Sequence, residues 1–235
     1  MKIMVINPNT SVEMTDHIRE ELERIKRRET ELTVLCPQRG PVSIESAYDE
    51  AHAVPPTLEL VKRANEENYD AVIIACFSDP GLYAAREISN ILVAGIQEVS
   101  LHVAAMRGRK FTILTPLKER IPHKEGDVWR NKLHNSLASV RELGMTVAET
   151  DEKPELAQQR ILEVSRKAVE EDGAEVIVLG CAGMVGYAKA AAQKLNIVVI
   201  DPTSVAFKVV EAMAEIDIVQ SKRAFYAEPP EKLFK

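Results

Sequence analysis

Long apolar runs, excess positive charge, cysteine and clustered histidine are all scarce in this chain of 235 residues. No stretch approaches the ~18–20 consecutive apolar residues that cross a bilayer, so no membrane partner is expected. The opening run from Met1 to Ile6 is shorter than a signal-peptide core. It passes into Asn7-Pro8-Asn9 with no small-residue cleavage site after it. The formal charge is −6 and no basic stripe occurs, which argues against nucleic acid as a partner. Cysteine occurs at 36, 76 and 181 only. So sparse and odd a set points to reduced thiols in the cytoplasm, not to a disulfide scaffold. The histidines at 17, 52, 102, 123 and 134 form no HExxH-type group, so no metal is expected. With 46% apolar and 28% charged residues, the composition is that of a globular protein with one large domain or two small ones.

The apolar pattern alternates strands and helices. Short runs at 3–6, 32–35, 71–75 and 92–94 read as strands. Thr10 or Ser11 is a natural N-cap for a helix carrying Met14, Ile18 and Leu22 at helical spacing. Further helices are expected at 58–67 and near 98–106, and residues 40–46 read as a loop. The order then restarts. Strands are expected at 111–114, 145–148, 176–179 and 197–200, and helices over 129–143, 157–171 and 188–195. Buried Val- and Ile-rich strands alternating with helices indicate a parallel α/β architecture.

The restart is an internal repeat. Asp70-Ala71-Val72-Ile73-Ile74-Ala75-Cys76 aligns without gaps to Glu175-Val176-Ile177-Val178-Leu179-Gly180-Cys181. The preceding helices stay in step, and Ile6-Asn7-Pro8 pairs with Leu114-Thr115-Pro116. We read two similar Rossmann-like lobes related by a pseudo-twofold axis, each with a short, mostly parallel sheet and with the site between them. The first lobe takes residues 1–104 plus 206–235, the second 105–205. The segment after Val205 is expected to pack back on the first lobe, which otherwise lacks a final helix.

In open parallel sheets, ligands sit beyond the carboxyl ends of the strands. Cys76 and Cys181 both fall there, and a pseudo-twofold axis would face one thiol toward the other. Two opposed thiols suit one chemistry: a thiolate removes a proton from one face of a carbon and a thiol returns one to the other. Backbone N–H groups of the helix starts after each cysteine would hold an anion, lowering a thiol pKa from ~8.5 toward neutrality. They would also hold an enolate oxygen. A single cysteine at a strand end is ordinarily a small buried hydrophobe, as we read Cys36. The symmetry of the pair outweighs that reading for the other two.

Four segments together resemble the hydantoin racemase family, which includes allantoin racemases, within the aspartate/glutamate racemase superfamily. They are Ile6-Asn7-Pro8-Asn9-Thr10-Ser11, Gly40-Pro41-Val42-Ser43-Ile44-Glu45-Ser46, Cys76-Phe77-Ser78-Asp79-Pro80-Gly81-Leu82 and Leu179-Gly180-Cys181-Ala182-Gly183-Met184. The resemblance covers nearly the whole chain in order. It implies a homo-oligomeric, cofactor-independent racemase inverting C5 of a 5-substituted hydantoin or allantoin, a small-molecule substrate. It also implies catalysis by Cys76 and Cys181, and substrate contacts at Asn7, Ile44, Phe77, Ser78, Thr115, Ala182 and Gly183. The chain departs from the family at Ser78, where Gly is usual, at Pro116 after Thr115, and at Pro202 after Asp201.

The alternative within the superfamily is an aspartate/glutamate-type amino-acid racemase. Apart from Lys118, no Arg or Lys lies within three residues of Asn7, Cys76, Thr115 or Cys181, which favours a neutral ring over a zwitterion. A superfamily decarboxylase would need one thiol only. A dinucleotide-binding oxidoreductase would use Gly180-Cys181-Ala182-Gly183-Met184-Val185-Gly186, but the spacing is GxxGxxG, not GxGxxG. A non-enzymatic two-lobed ligand binder would be indifferent to loss of either thiol.

Overall fold

Strand β1 (Lys2–Ile6) is fully buried from Ile3 onward and lies at the middle of the first sheet. It pairs in parallel with β2 (Glu31–Leu35) on one side and β3 (Ala71–Ile74) on the other, and β3 pairs with β4 (Leu92–Gly95). The second sheet repeats that plan. Its β5 (Phe111–Thr115) lies between β6 (Leu137–Glu142) and β7 (Val176–Leu179), and β7 pairs with β8 (Val198–Ile200). The two strand orders, β2-β1-β3-β4 and β6-β5-β7-β8, are the same order twice, as the sequence repeat requires. The computed structural model describes residues 1–231; the last four residues of the 206–235 segment lie outside them.

Helices connect and cover the strands. They are α1 (Val12–Ile25), α2 (Ala47–Glu66), α3 (Leu82–Ile88), α4 (Ile96–Arg107), α5 (Ile121–Arg130), α6 (Val147–Glu152), α7 (Pro154–Asp172), α8 (Ala188–Leu195) and α9 (Pro202–Glu215). Ser11 caps α1 by accepting from the Met14 N–H at 3.2 Å, and Met14, Ile18 and Leu22 form its buried face. No described helix is long and apolar enough to cross a membrane.

The last helix of each lobe crosses to the other. After β8, α9 packs on β3, β4 and α1 of the first lobe. Its carboxylate Glu211 is fully buried and accepts from the Arg27 N–H at 2.9 Å and the Thr30 hydroxyl at 2.7 Å. The equivalent helix α4, which follows β4, packs on β7 and β8 and against α9. The exchange joins one face of the first sheet to the second sheet in a single apolar core, running from Ile3 and Val5 to Val176, Val178 and Phe207. Across the opposite face of the first sheet, Met4, Ile6, Val72 and Ile74 form a smaller cluster with Val61, on α2.

Three expected elements differ. The helix expected over 129–143 is instead the end of α5, a 3-10 turn at His134–Ser136 and the edge strand β6. The strand expected at 145–148 is the start of α6, where the Thr146 side chain accepts from the Glu149 N–H and the Glu149 carboxylate from the Thr146 N–H, at 3.2 and 3.0 Å. The helix expected from residue 58 starts eleven residues earlier and runs through Pro55 and Pro56. Proline at these positions removes donors without ending the helix, because packing of Ala53, Pro56, Thr57 and Val61 holds it in place.

Candidate active site

The ends of four equivalent strands converge on one cavity. Asn7 follows β1, Cys76 follows β3, Thr115 ends β5 and Cys181 follows β7; all four line it. The two cysteine segments reach it by the same backbone route. The Ala75 N–H donates to the Ile6 carbonyl at 2.8 Å, and the Gly180 N–H to the Leu114 carbonyl at 2.7 Å. At the second of these the backbones approach so closely that a Cβ on Gly180 would stand 2.4 Å from the Leu114 oxygen. Glycine there lets Cys181 reach the cavity.

Of the residues expected in the site, Asn7, Ile44, Cys76, Phe77, Ser78, Thr115, Cys181 and Ala182 line the cavity. Gly183 does not line it. It is buried behind Cys181, and its N–H donates to Cys181 Sγ at 3.4 Å. Asn7 is held by its own turn, its amide donating to Asn9 Oδ1 at 2.7 Å and Thr15 Oγ1 at 3.0 Å. Thr115 differs: its hydroxyl is buried and has no partner among the described residues.

The two thiols have different surroundings. Cys76 is half-buried, with Ser78 Oγ 3.4 Å from its sulfur. Cys181 is buried and takes the Gly183 N–H from a 3-10 turn, while Thr150 Oγ1 lies 4.0 Å away and donates instead to the Val147 carbonyl at 2.7 Å. The expectation that helix starts bring both thiols toward neutrality does not hold. Burial pushes the Cys76 thiol up and the Cys181 thiol up to about 12, against the weaker pull of these donors. The helix start expected after Cys76 also lies further on, since α3 begins at Leu82, past Gly81.

The cavity also holds charges far from the cysteines in sequence. Arg120 and Lys124, from the turn before α5 and from α5 itself, line it together with Glu45. These cations are distant from the cysteines along the chain and come near them only across the lobes. Both cations are partnered. Arg120 is ion-paired with Glu50 of α2. Lys124 Nζ donates to the Phe77 carbonyl and lies 3.5 Å from Asp127 Oδ2. Glu45 accepts from the Val147 N–H at 2.7 Å. These contacts join the first lobe to the second around the rim of the cavity.

The whole chain can be compared with known proteins on this basis. The family model described as Asp/Glu/Hydantoin racemase matches residues 3–210. A hydantoin racemase of Pseudomonas sp. (strain NS671) is 37% identical over 99% of this chain and 93% of its own length. One of Paenarthrobacter aurescens is 37% identical over the full length of both. The solved structure of an allantoin racemase from Klebsiella pneumoniae superposes with a TM-score of 0.96 at 35% identity, covering 100% of this chain and 96% of that one. With the repeat, the shared cavity and the full-length matches in agreement, this chain belongs to the Asp/Glu/Hydantoin racemase family and is an isomerase of the racemase class.

Proposed function

We propose that the protein racemises the C5 centre of a hydantoin, either a 5-substituted hydantoin or allantoin, by proton transfer between Cys76 and Cys181. The observation that carries this reading is the placement of two thiols at equivalent strand ends on one small cavity. The names of the full-length relatives and of the allantoin racemase structure support the substrate class.

In one direction, the thiolate of one cysteine takes the C5 proton and becomes a thiol. The electron pair of the broken C–H bond moves into an enolate whose oxygen is the former ring carbonyl. The thiol of the other cysteine then gives its proton to the opposite face of C5 and becomes the thiolate. Proton count and charge are unchanged overall, and the reverse reaction starts from the state the forward one leaves. A buried neutral thiol with a raised pKa suits the donor role, since it stays protonated until a carbanion-like centre forms beside it. The free Thr115 hydroxyl is a candidate donor to a ring carbonyl, and its bond would strengthen as that oxygen gains charge.

The charges in the lining favour a neutral ring. Arg120 is occupied by Glu50 and Lys124 has Asp127 beside it, so neither is a free clamp for a substrate carboxylate. The presence of these two cations is nonetheless the feature an aspartate/glutamate-type racemase would use, so amino acids belong in the substrate panel.

The test is incubation with an enantiopure 5-alkylhydantoin in heavy water. Optical rotation should decay while deuterium enters C5, and both should vanish in Cys76→Ala and in Cys181→Ala. Full racemase activity in either variant overturns the two-thiol mechanism, and faster exchange at the α-carbon of a free amino acid overturns the substrate class.

A further inference from the structure

Lys124 is a residue that sequence spacing did not bring to the site, and its position is asymmetric with respect to the two thiols. It stands on α5 in the second lobe with its side chain 4% exposed, and it reaches across the cavity to the first lobe. Its ammonium donates to the carbonyl of Phe77, the residue joined to Cys76. No such group serves Cys181, whose polar partners are the Gly183 N–H at 3.4 Å and the Thr150 hydroxyl at 4.0 Å.

An ammonium this well buried needs compensation. Asp127 supplies only part of it. That carboxylate is 3.5 Å from Lys124 Nζ and is shared, accepting from the Gln97 amide at 2.8 Å and from Arg130 at 3.0 Å. The other charged groups around the cavity are committed elsewhere: Glu50 of α2 to Arg120, and Glu45 to the Val147 N–H. Asp127 is thus divided among three donors, and a thiolate at Cys76, on the same cavity, would add to the compensation of Lys124.

We infer that Lys124 is a positioning residue that makes Cys76, and not Cys181, the thiol that ionises more readily. The inference rests on the two-thiol reading above and extends it. Resting protein would be primed for the enantiomer whose C5 proton faces Cys76, with Cys181 as the waiting donor. Turnover of that enantiomer leaves the charge on Cys181, away from Lys124. The Cys76 proton must then return to Cys181, directly or through solvent, before the next one. The Lys124 charge lowers the pKa of both thiols, and at Cys76 the Glu50 carboxylate opposes it.

The experiment reads thiol ionisation with no substrate present. Wild type, Lys124→Gln and Lys124→Arg are treated with iodoacetamide across a pH series, and alkylation of the Cys76 and Cys181 peptides is followed separately by mass spectrometry. Glutamine removes the charge and keeps an amide donor, on a side chain one atom shorter. It should raise the midpoint of Cys76 alkylation by at least about one pH unit, the shift ordinarily produced by one close opposite charge. The Cys181 midpoint should move less, and Lys124→Arg should hold the Cys76 midpoint near the wild-type value. An unshifted Cys76 midpoint in Lys124→Gln overturns the inference, as does a larger shift at Cys181. Either result leaves racemisation by two thiols standing. Conversely, racemase activity surviving in Cys76→Ala removes the mechanism whatever the midpoints show. Should the arginine variant not fold, the glutamine variant alone decides.

Discussion

Replacing Thr115 by valine should make the protein more stable and less active, and the two effects have one cause. Thr115 is fully buried at the end of β5 and lines the cavity, and its hydroxyl has no partner among the described residues. A buried hydroxyl without a partner costs about 1–3 kcal/mol, whereas an apolar group of the same shape carries no such penalty. Water entering the cavity offsets part of that cost, so a gain of about 1 kcal/mol is expected. In a domain of this size it raises Tm by about 2–4 °C. Binding moves the other way. If the hydroxyl donates to a substrate carbonyl, its loss removes about 0.5–1.5 kcal/mol, or roughly 2- to 13-fold in kcat/KM. Ser165→Ala on α7 is the control. Its hydroxyl is also buried and unpartnered but lies outside the cavity, so Tm should rise there with kcat/KM unchanged. Differential scanning calorimetry and initial rates on an enantiopure hydantoin decide the matter. A lower Tm in Thr115→Val, or an unchanged kcat/KM beside a normal Tm response, refutes the assignment of Thr115 as a substrate donor.

Other consequences are as direct. Gly180→Ala places a Cβ 2.4 Å from the Leu114 oxygen, so backbone must shift. The cost should be about 1–3 kcal/mol or more, read as a lower urea midpoint with the m-value unchanged. His17 of α1 meets Asp151 of α6 across the lobes at 2.7 Å, and this bond raises the histidine pKa above its ordinary 6.5. A raised folded-state value means the pair stabilises fully below pH 6.5 and loses that contribution as pH climbs through the raised value. Wild type should therefore lose more Tm than His17→Gln between pH 6 and pH 9; equal losses would show that the pair contributes nothing.

Much of this protein was readable because its central strands are buried on both faces. Continuous runs such as Ala71–Ile74 and Val176–Leu179 carry one interpretation, and their match places Cys76 and Cys181 at equivalent strand ends. The edge strand β6 was not readable in the same way. Leu137–Glu142 is half-exposed, mixes Ala, Arg and Glu with its apolar residues, and so satisfies a helical pattern as well as an extended one. What decides it is tertiary: Thr112 and Ser139 hydroxyls meet at 2.9 Å across the pairing with β5, and Arg141 holds Asp172 of α7 at 2.6 Å. The start of α6 carries a local signal in the sequence, since Thr146-Val147-Ala148-Glu149 is a capping-box spacing.

The site divides along the same line. Its strand-end residues are local features of the sequence and were found. Its charges come from Arg120 and Lys124, which reach the cavity only when the second lobe folds over the first. No distance along the chain measures that approach. The symmetric part of the cavity, two thiols on two equivalent strands, is thus written in the repeat. The part that breaks the symmetry is written in α5, which departs from its counterpart α1 by presenting a buried ammonium to the opposite lobe. A repeat of this kind supplies two interchangeable thiols. Only a difference between its halves can decide which of them ionises more readily.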